Sequence, residues 1–242
     1  GLPAQTVHYV WVRSNCATND VSTWSGPVTF KTQCDDKTEW EENFDSYPSG
    51  TNSLPDCWAR GGSSILTYVT TGSVLPGSPA NRLFMSANGS GATPTETYAM
   101  LPLVSNLQAN THRLRFKAYS TSGTDRFIEL GYLTDPSDIS TFFFLEEISL
   151  PGTTAANAQQ FIYTPTGIPA GIKRLVIKNP GHPSGTTLAY IDDVYWETIP
   201  TCIEPSAVVI GSVLAESASI SWTAPSTAPA EGYEYYLSTS NV

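Results

Sequence analysis

The stretch AYIDDVYWET, residues 189–198, decides how the rest of the chain is read. Apart from its two aspartates and Glu197 it is a run of β-branched, aromatic and small apolar residues, the composition of a strand covered on at least one face. The same signature recurs in HYVWV (8–12), ILTYVTT (65–71), HRLRFKAYS (112–120), RFIELGYL (126–133), FFFLEEISL (142–150), KRLVIK (173–178) and ASISWTA (218–224). Eighteen Gly and eighteen Pro, with Asn and Asp, punctuate these runs. No long stretch repeats apolar residues at helical spacing. The chain reads as all-β, of the sandwich class.

The 242 residues are 40% hydrophobic and 14% charged, which is globular rather than disordered. Twelve basic against 22 acidic residues give a net charge of −10, a poor match for nucleic acid. No apolar run approaches the length of a membrane-spanning helix, so membrane insertion is not expected. Cysteines stand at 16, 34, 57 and 202 and histidines at 8, 112 and 182. None forms a C-x-x-C pair, which argues against zinc. An even cysteine count in a Lys-poor, Ser/Thr/Gly-rich chain points to an exported protein with disulfides. The start at Gly1-Leu2-Pro3 reads as the middle of something longer.

Three segments emerge: residues 1–33, 34–200 and 201–242. Residues 1–33 resemble the last two strands of a fibronectin type III module: Leu2, Thr6, Val10 and Val12 match its pattern, and His8 stands at its corner tyrosine. Residues 201–242 resemble the first three strands of another, with Trp222 as the core Trp and Tyr233, Tyr235 and Leu237 alternating inward on the third strand. Residues 34–200 resemble the jelly-roll modules of the MAM and cleaved-adhesin type through ENFDS (42–46), CW (57–58), IELGYLTDPSDISTF (128–142) and YIDDVYW (190–196). The fold expected is therefore a jelly-roll β-sandwich flanked by two partial immunoglobulin-like sandwiches. The order of modules resembles that of secreted surface proteins of the Bacteroidota.

Asp192 and Asp193 are adjacent. Neighbours on a strand point to opposite faces, so at least one faces inward unless a bulge turns it aside. A buried, unpaired carboxylate is costly. Glu42 and Asp45 come from the start of the same segment, and in a jelly roll the first and last strands lie close together. Glu42, Asp45 and Asp193 are thus candidate ligands of a structural Ca²⁺, which takes hard oxygen donors; the resemblance implies such an ion in some members. The alternative is an aspartate pair capping backbone N–H groups.

On HRLRFKAYS, alternation puts Arg113, Arg115, Lys117 and Tyr119 on one face. With Lys173, Arg174 and Lys178 on a neighbouring strand they would line a cationic groove for an acidic glycan. The alternative is an ordinary solvated face with Glu129 as cross-strand partner. Three consecutive Phe at 142–144 and the outward Tyr9 and Trp11 are packing or stacking surfaces. Cys34–Cys57 is the preferred disulfide, leaving Cys16 and Cys202 to partners outside these residues; Cys34–Cys202 is the alternative. Asn88-Gly-Ser is a glycosylation acceptor pattern.

Nothing here makes an enzyme. The acidic pairs 41–42, 146–147 and 192–193 are adjacent in sequence, and no nucleophile elbow, metalloprotease motif or phosphate loop occurs. The expectation is a non-catalytic adhesion or carbohydrate-binding region of a secreted, cell-surface protein. Its partners would be a host or environmental glycan or surface protein, and neighbouring modules of the same chain. An accessory region of a secreted hydrolase and a ligand-free stalk are the alternatives.

Overall fold

The computed structural model describes residues 1–62, 66–72, 80–88, 95–122, 126–152, 154–182, 185–225 and 227–239. Among these the regular structure is β, apart from two single 3₁₀ turns at Ile139–Thr141 and Ala155–Asn157. No helix among them is long and apolar enough to cross a membrane. Ahead of Cys34 lie β1 (Val7–Val12), β2 (Asn15–Ala17), β3 (Asp20–Val21) and β4 (Ser25–Lys31). The middle segment carries β5 (Trp40–Glu42), β6 (Ala59–Gly62), β7 (Thr67–Thr71), β8 (Asn81–Ala87), β9 (Thr97–Met100), β10 (His112–Ser120), β11 (Phe127–Leu133), β12 (Phe142–Ser149), β13 (Gln159–Tyr163), β14 (Val176–Asn179) and β15 (Thr187–Thr198). Last come β16 (Ser206–Val213) and β17 (Ala218–Thr223).

The middle segment is a jelly roll. One sheet has the order β13-β10-β15-β8-β7, with β5 added on β15; the other has the order β12-β11-β14-β9-β6. From β8 to β15 the chain passes between sheets so that β8-β15-β10-β13 faces β9-β14-β11-β12, the arrangement of two interlocked Greek keys. Every named strand pair is antiparallel.

Alternation builds the core. Leu114, Phe116 and Ala118 of β10, Leu83 and Met85 of β8, and Ala189 and Ile191 of β15 turn inward against Ile128, Leu130, Ala99 and Ile177 of the opposing sheet, all essentially buried. Each large side chain buried there contributes about 1.5–3 kcal/mol. Where the chain enters the sandwich, Phe44 and Trp40 both meet Trp58 edge to face, at 5.5 and 5.8 Å. A Cys34–Cys57 disulfide closes this corner. Cys34–Cys202 is thereby excluded, and Cys16 and Cys202 are free and exposed. The back of the second sheet has its own small cluster of Tyr98, Met100, Leu133 and Val176, covered by Ile139 and Phe142. Phe142 thus packs on this outer cluster, Phe143 stacks on Tyr132 at 5.0 Å, and Phe143 and Phe144 remain exposed.

The flanking segments are two-stranded: β1 pairs with β4, and β16 with β17. Both hairpins leave large apolar side chains exposed, among them Val10, Val28, Val209 and Ile210. Trp222 meets Tyr233 edge to face at 5.2 Å. The third strand expected over Tyr233, Tyr235 and Leu237 is not formed, and Tyr235 and Leu237 are exposed. A strand with no neighbour to pair its backbone groups has nothing to hold it extended. In the glycosylation pattern, Gly89 and Ser90 lie outside the described residues.

Candidate binding face

The outer face of the six-stranded sheet collects most of the chemistry. Tyr68 of β7 lies directly opposite Phe84 of β8, Phe84 opposite Tyr190 of β15, and Tyr190 opposite Tyr119 of β10. Four aromatic rings therefore form a row across four strands. Successive ring centroids are 5.1, 5.3 and 4.8 Å apart, and the last pair is stacked. Arg82 lies over Tyr190 at 4.2 Å and donates to the Tyr119 hydroxyl. Tyr68, Phe84 and Tyr190 are half-buried, while Tyr119 is buried, which pushes its phenol above the usual range.

Further along the same face the row gives way to charge. Asp192 sits opposite Lys117 and Tyr195 opposite Arg115, so β15 carries a bulge between them. Asp193, at φ 47°, occupies it. The bulge falls where the neighbour of β15 changes: Ile191 is the last residue paired with β8, and Val194 the first paired with β5. Asp192 is fully buried and its Oδ1 accepts the Asp193 N–H at 2.8 Å. Lys117 donates to Asp193 Oδ2 at 3.0 Å. Beside the bulge, Glu41, Glu42, Asn43, Ser46, Asp193 and Tyr195 line a depression of about 390 Å³. Burial pushes the Glu42 carboxyl up, against the N–H of Phe44 that it accepts at 2.7 Å.

At the far end of β10, Glu197 bridges two guanidinium groups. Arg113 Nε donates to Glu197 Oε1 at 2.8 Å, and Arg115 Nε and Nη2 donate to its two oxygens at 2.9 and 2.7 Å. Arg113 Nη1 and Nη2 reach the two oxygens of Glu204 at 3.0 and 2.9 Å. Arg115 also lies 3.9 Å over the Tyr195 ring.

No protein-family model and no curated protein matches the chain. Among solved structures it is similar to the K2 cleaved-adhesin domain of Lys-gingipain, at 12% identity and TM-score 0.49 over 66% of this chain and 100% of that one. The K1 domain of Lys-gingipain from Porphyromonas gingivalis W83 is similar at 17% identity and TM-score 0.47, over 68% and 100%. A xylan-binding CBM22-1 domain of Paenibacillus barcinonensis Xyn10C is similar at 7% identity and TM-score 0.42, over 66% and 92%. The jelly-roll assignment rests on this chain's own strand order.

The predicted cationic groove is corrected. Lys178 is on β14, in the other sheet, where it pairs with Glu96 and Glu129 at 2.8 and 3.1 Å. Lys173 pairs with Asp36. Arg113, Arg115, Lys117 and Tyr119 do share the outer face, but the first three are ion-paired and Tyr119 is buried within the aromatic row. The partners are Glu197, Glu204 and Asp193, not Glu129. The three-carboxylate set is corrected as well. Glu42 and Asp193 share one depression, whereas Asp45 lies in the turn after β5 and accepts from the backbone N–H of Asn81 at 2.9 Å. Among the described residues no three His, Cys, Asp or Glu side chains group so as to hold a metal. Sequence reasoning passed over the aromatic row. Its signal was present: in TYV (67–69), LFM (83–85) and AYI (189–191) an aromatic stands alone between two inward positions.

Proposed function

We propose that this chain is a non-catalytic glycan-binding region of an exported, multi-module surface protein, and that the outer face of the six-stranded sheet is its binding face. The observation that carries this reading is the row Tyr68–Phe84–Tyr190–Tyr119, opposed in register across four strands, with the Arg82 guanidinium over Tyr190. The half-exposed rings of Tyr68, Phe84 and Tyr190, tilted to one another and backed by the buried Tyr119, suit the apolar faces of sugar rings, while polar groups beside them read hydroxyls. The Cys34–Cys57 bond supports export. The exposed apolar faces of the β1–β4 and β16–β17 hairpins support their being edges of fibronectin-like neighbours that space the jelly roll from its anchorage.

A structural Ca²⁺ would sit in the depression beside the bulge. Glu42 and Asp193 would supply carboxylates, and Asn43 and Ser46 neutral oxygens, a donor set without nitrogen or sulfur. Such an ion would tie the first strand of the jelly roll to the last.

A glycan array probed with the whole chain tests the binding face, followed by titration with the best oligosaccharide. The expected result is binding that Phe84→Ala and Tyr190→Ala each weaken about tenfold, ~1.4 kcal/mol, with the fold intact by circular dichroism. Silence across neutral and acidic glycans, or binding untouched by both substitutions, would remove the reading in favour of a spacer.

A further inference from the structure

We propose that Arg113 and Arg115 form a binding site for the carboxylate of an acidic sugar, and that Glu204 occupies this site as a removable strap. The inference rests on the glycan-binding reading for the sugar, but not for the carboxylate.

Glu204 and Glu197 hold the arginines in different ways. Glu197 lies on β15 directly opposite Arg113, so it stays with the sheet. Glu204 lies between β15 and β16, in a stretch of no regular structure, and can leave without breaking a strand pair. It takes both terminal nitrogens of Arg113 in a two-point contact, at 2.9 and 3.0 Å. That parallel fork is the geometry by which a guanidinium recognises any carboxylate, a uronate included. The swap of Glu204 for a ligand carboxylate is therefore like for like in hydrogen bonds.

Charge makes the swap selective. The cluster holds two arginines and two glutamates, and is neutral with the strap in place. With Glu204 withdrawn, one positive charge and two donors remain at a buried guanidinium, in a chain whose net charge is −10. Leaving them unmatched is costly, so the opened site demands an anion. A sugar is favoured over an acidic peptide because the aromatic row lies on the same face, beyond the Lys117–Asp193 pair. Arg115 lies over Tyr195, and the outer face of β10 runs on from Arg113 to Tyr119 in the aromatic row, six residues or about 20 Å away. A short oligosaccharide spans that distance.

The strap competes at the high effective concentration of a tethered group, which lowers the apparent affinity of an outside carboxylate. The test titrates the whole chain with tetragalacturonate and, separately, cellotetraose. Glu204→Gln keeps the size of the strap but removes its charge, and Glu204→Ala removes the side chain. Both are expected to tighten tetragalacturonate about tenfold by freeing the site, with cellotetraose unchanged. Adding Arg113→Lys, which keeps the charge but not the fork, is expected to abolish the gain. Unchanged affinity for tetragalacturonate in both Glu204 variants, or a gain that survives Arg113→Lys, overturns the proposal. Monomeric galacturonate needs no aromatic row, and its binding is read from the Arg side-chain N–H shifts. A response there with no cellotetraose binding sinks the stacking reading and leaves the strap standing; no response in Glu204→Gln sinks the strap. A glutamate-rich peptide that binds Glu204→Gln as tightly as tetragalacturonate overturns the sugar assignment.

Discussion

Lys117 Nζ stands 3.0 Å from Asp193 Oδ2, and the pair spans the one place where β15 has lost its β8 neighbour and not yet gained β5. Both side chains are mostly buried, at 22% and 10% exposure. The ammonium is therefore the direct counter-charge of Asp193, one of two adjacent carboxylates. Replacing Lys117 by Met leaves Asp193 without it. Breaking a pair at this depth is expected to cost about 2 kcal/mol, below the full cost in a dry interior. Adding Asp193→Asn should recover about half of that. Urea unfolding of the two single variants and the double variant measures the coupling, and additive effects would show the pair to be incidental.

The calcium proposal makes an independent claim about the same corner. If Glu42 and Asp193 share an ion, millimolar Ca²⁺ raises the melting temperature of the chain over its value in chelator, since any ligand of the native state stabilises by mass action. Glu42→Gln is expected to remove most of the rise, whereas Asp45→Asn, which does not line the depression, is expected to leave most of it. A shift below one degree on adding the ion would end the proposal.

Acid should open the arginine clasp. Hydrogen bonds from Arg115, then from Arg113, hold the Glu197 carboxyl below the usual range despite its burial. For Glu204, burial pushes upward but the hydrogen bonds and charge of Arg113 win, and the carboxyl is again lowered. Both groups bind protons less readily in the fold than in the unfolded chain. Their stabilisation is complete above the ordinary glutamate value of about 4.3 and is lost as pH falls through the folded values. Melting temperature is expected to drop as pH falls below the ordinary glutamate value of about 4.3, and to drop less in Arg113→Met, whose stability at pH 7 is already lower. An identical acid slope in that variant would place the titrating groups elsewhere.

The legible parts of the sequence are those where period two is undisturbed. Strand β10 was read to the residue from HRLRFKAYS because its inward Leu114, Phe116 and Ala118 alternate with charge. Strand β9 was missed because all four residues of TYAM are buried, with one cluster on each side of the sheet, so no alternation exists. Strand β6, ARGG, carries two glycines, and Gly61 is held by closeness: an added Cβ would come within 2.8 Å of Ile139. The meaning of Asp192-Asp193 was out of reach, since a bulge depends on where β8 stops and β5 starts. The alternation that puts Arg113, Arg115, Lys117 and Tyr119 on one face was legible, and their ion pairing was not. Glu197 is 84 residues and Glu204 91 residues from Arg113, and only the fold joins them.

The disulfide corner gives a stability prediction that is independent of any ligand. Cys34 and Cys57 close a loop of 23 residues, which constrains the unfolded chain by about 3 kcal/mol. Replacing both by Ser should cost about that much. Because Trp58 follows directly and packs with Phe44 and Trp40, near-ultraviolet circular dichroism of the tryptophans is expected to change as well. Unfolding at unchanged urea midpoint would mean that the aromatic trio alone fixes this corner.

Gly131 offers the sharpest steric test of the second sheet. It sits at the register shift between β11 and β12, where an added Cβ would lie 2.2 Å from the Phe143 carbonyl oxygen and 2.5 Å from the Phe142 ring. The first of these is backbone and cannot rotate away. Gly131→Ala must push β12 off β11 or reshape the bulge, and is expected to destabilise by about 1–3 kcal/mol, the range for overpacked interiors. The displacement should also disturb the stacking of Phe143 on Tyr132 and the seat of Phe142 against Tyr98. Glycan binding, proposed for the opposite sheet, should be unchanged at temperatures where the variant is folded. If it fell in step with stability, the two sheets would not be separable in this way, and the outer face of the first would depend on the register of the second.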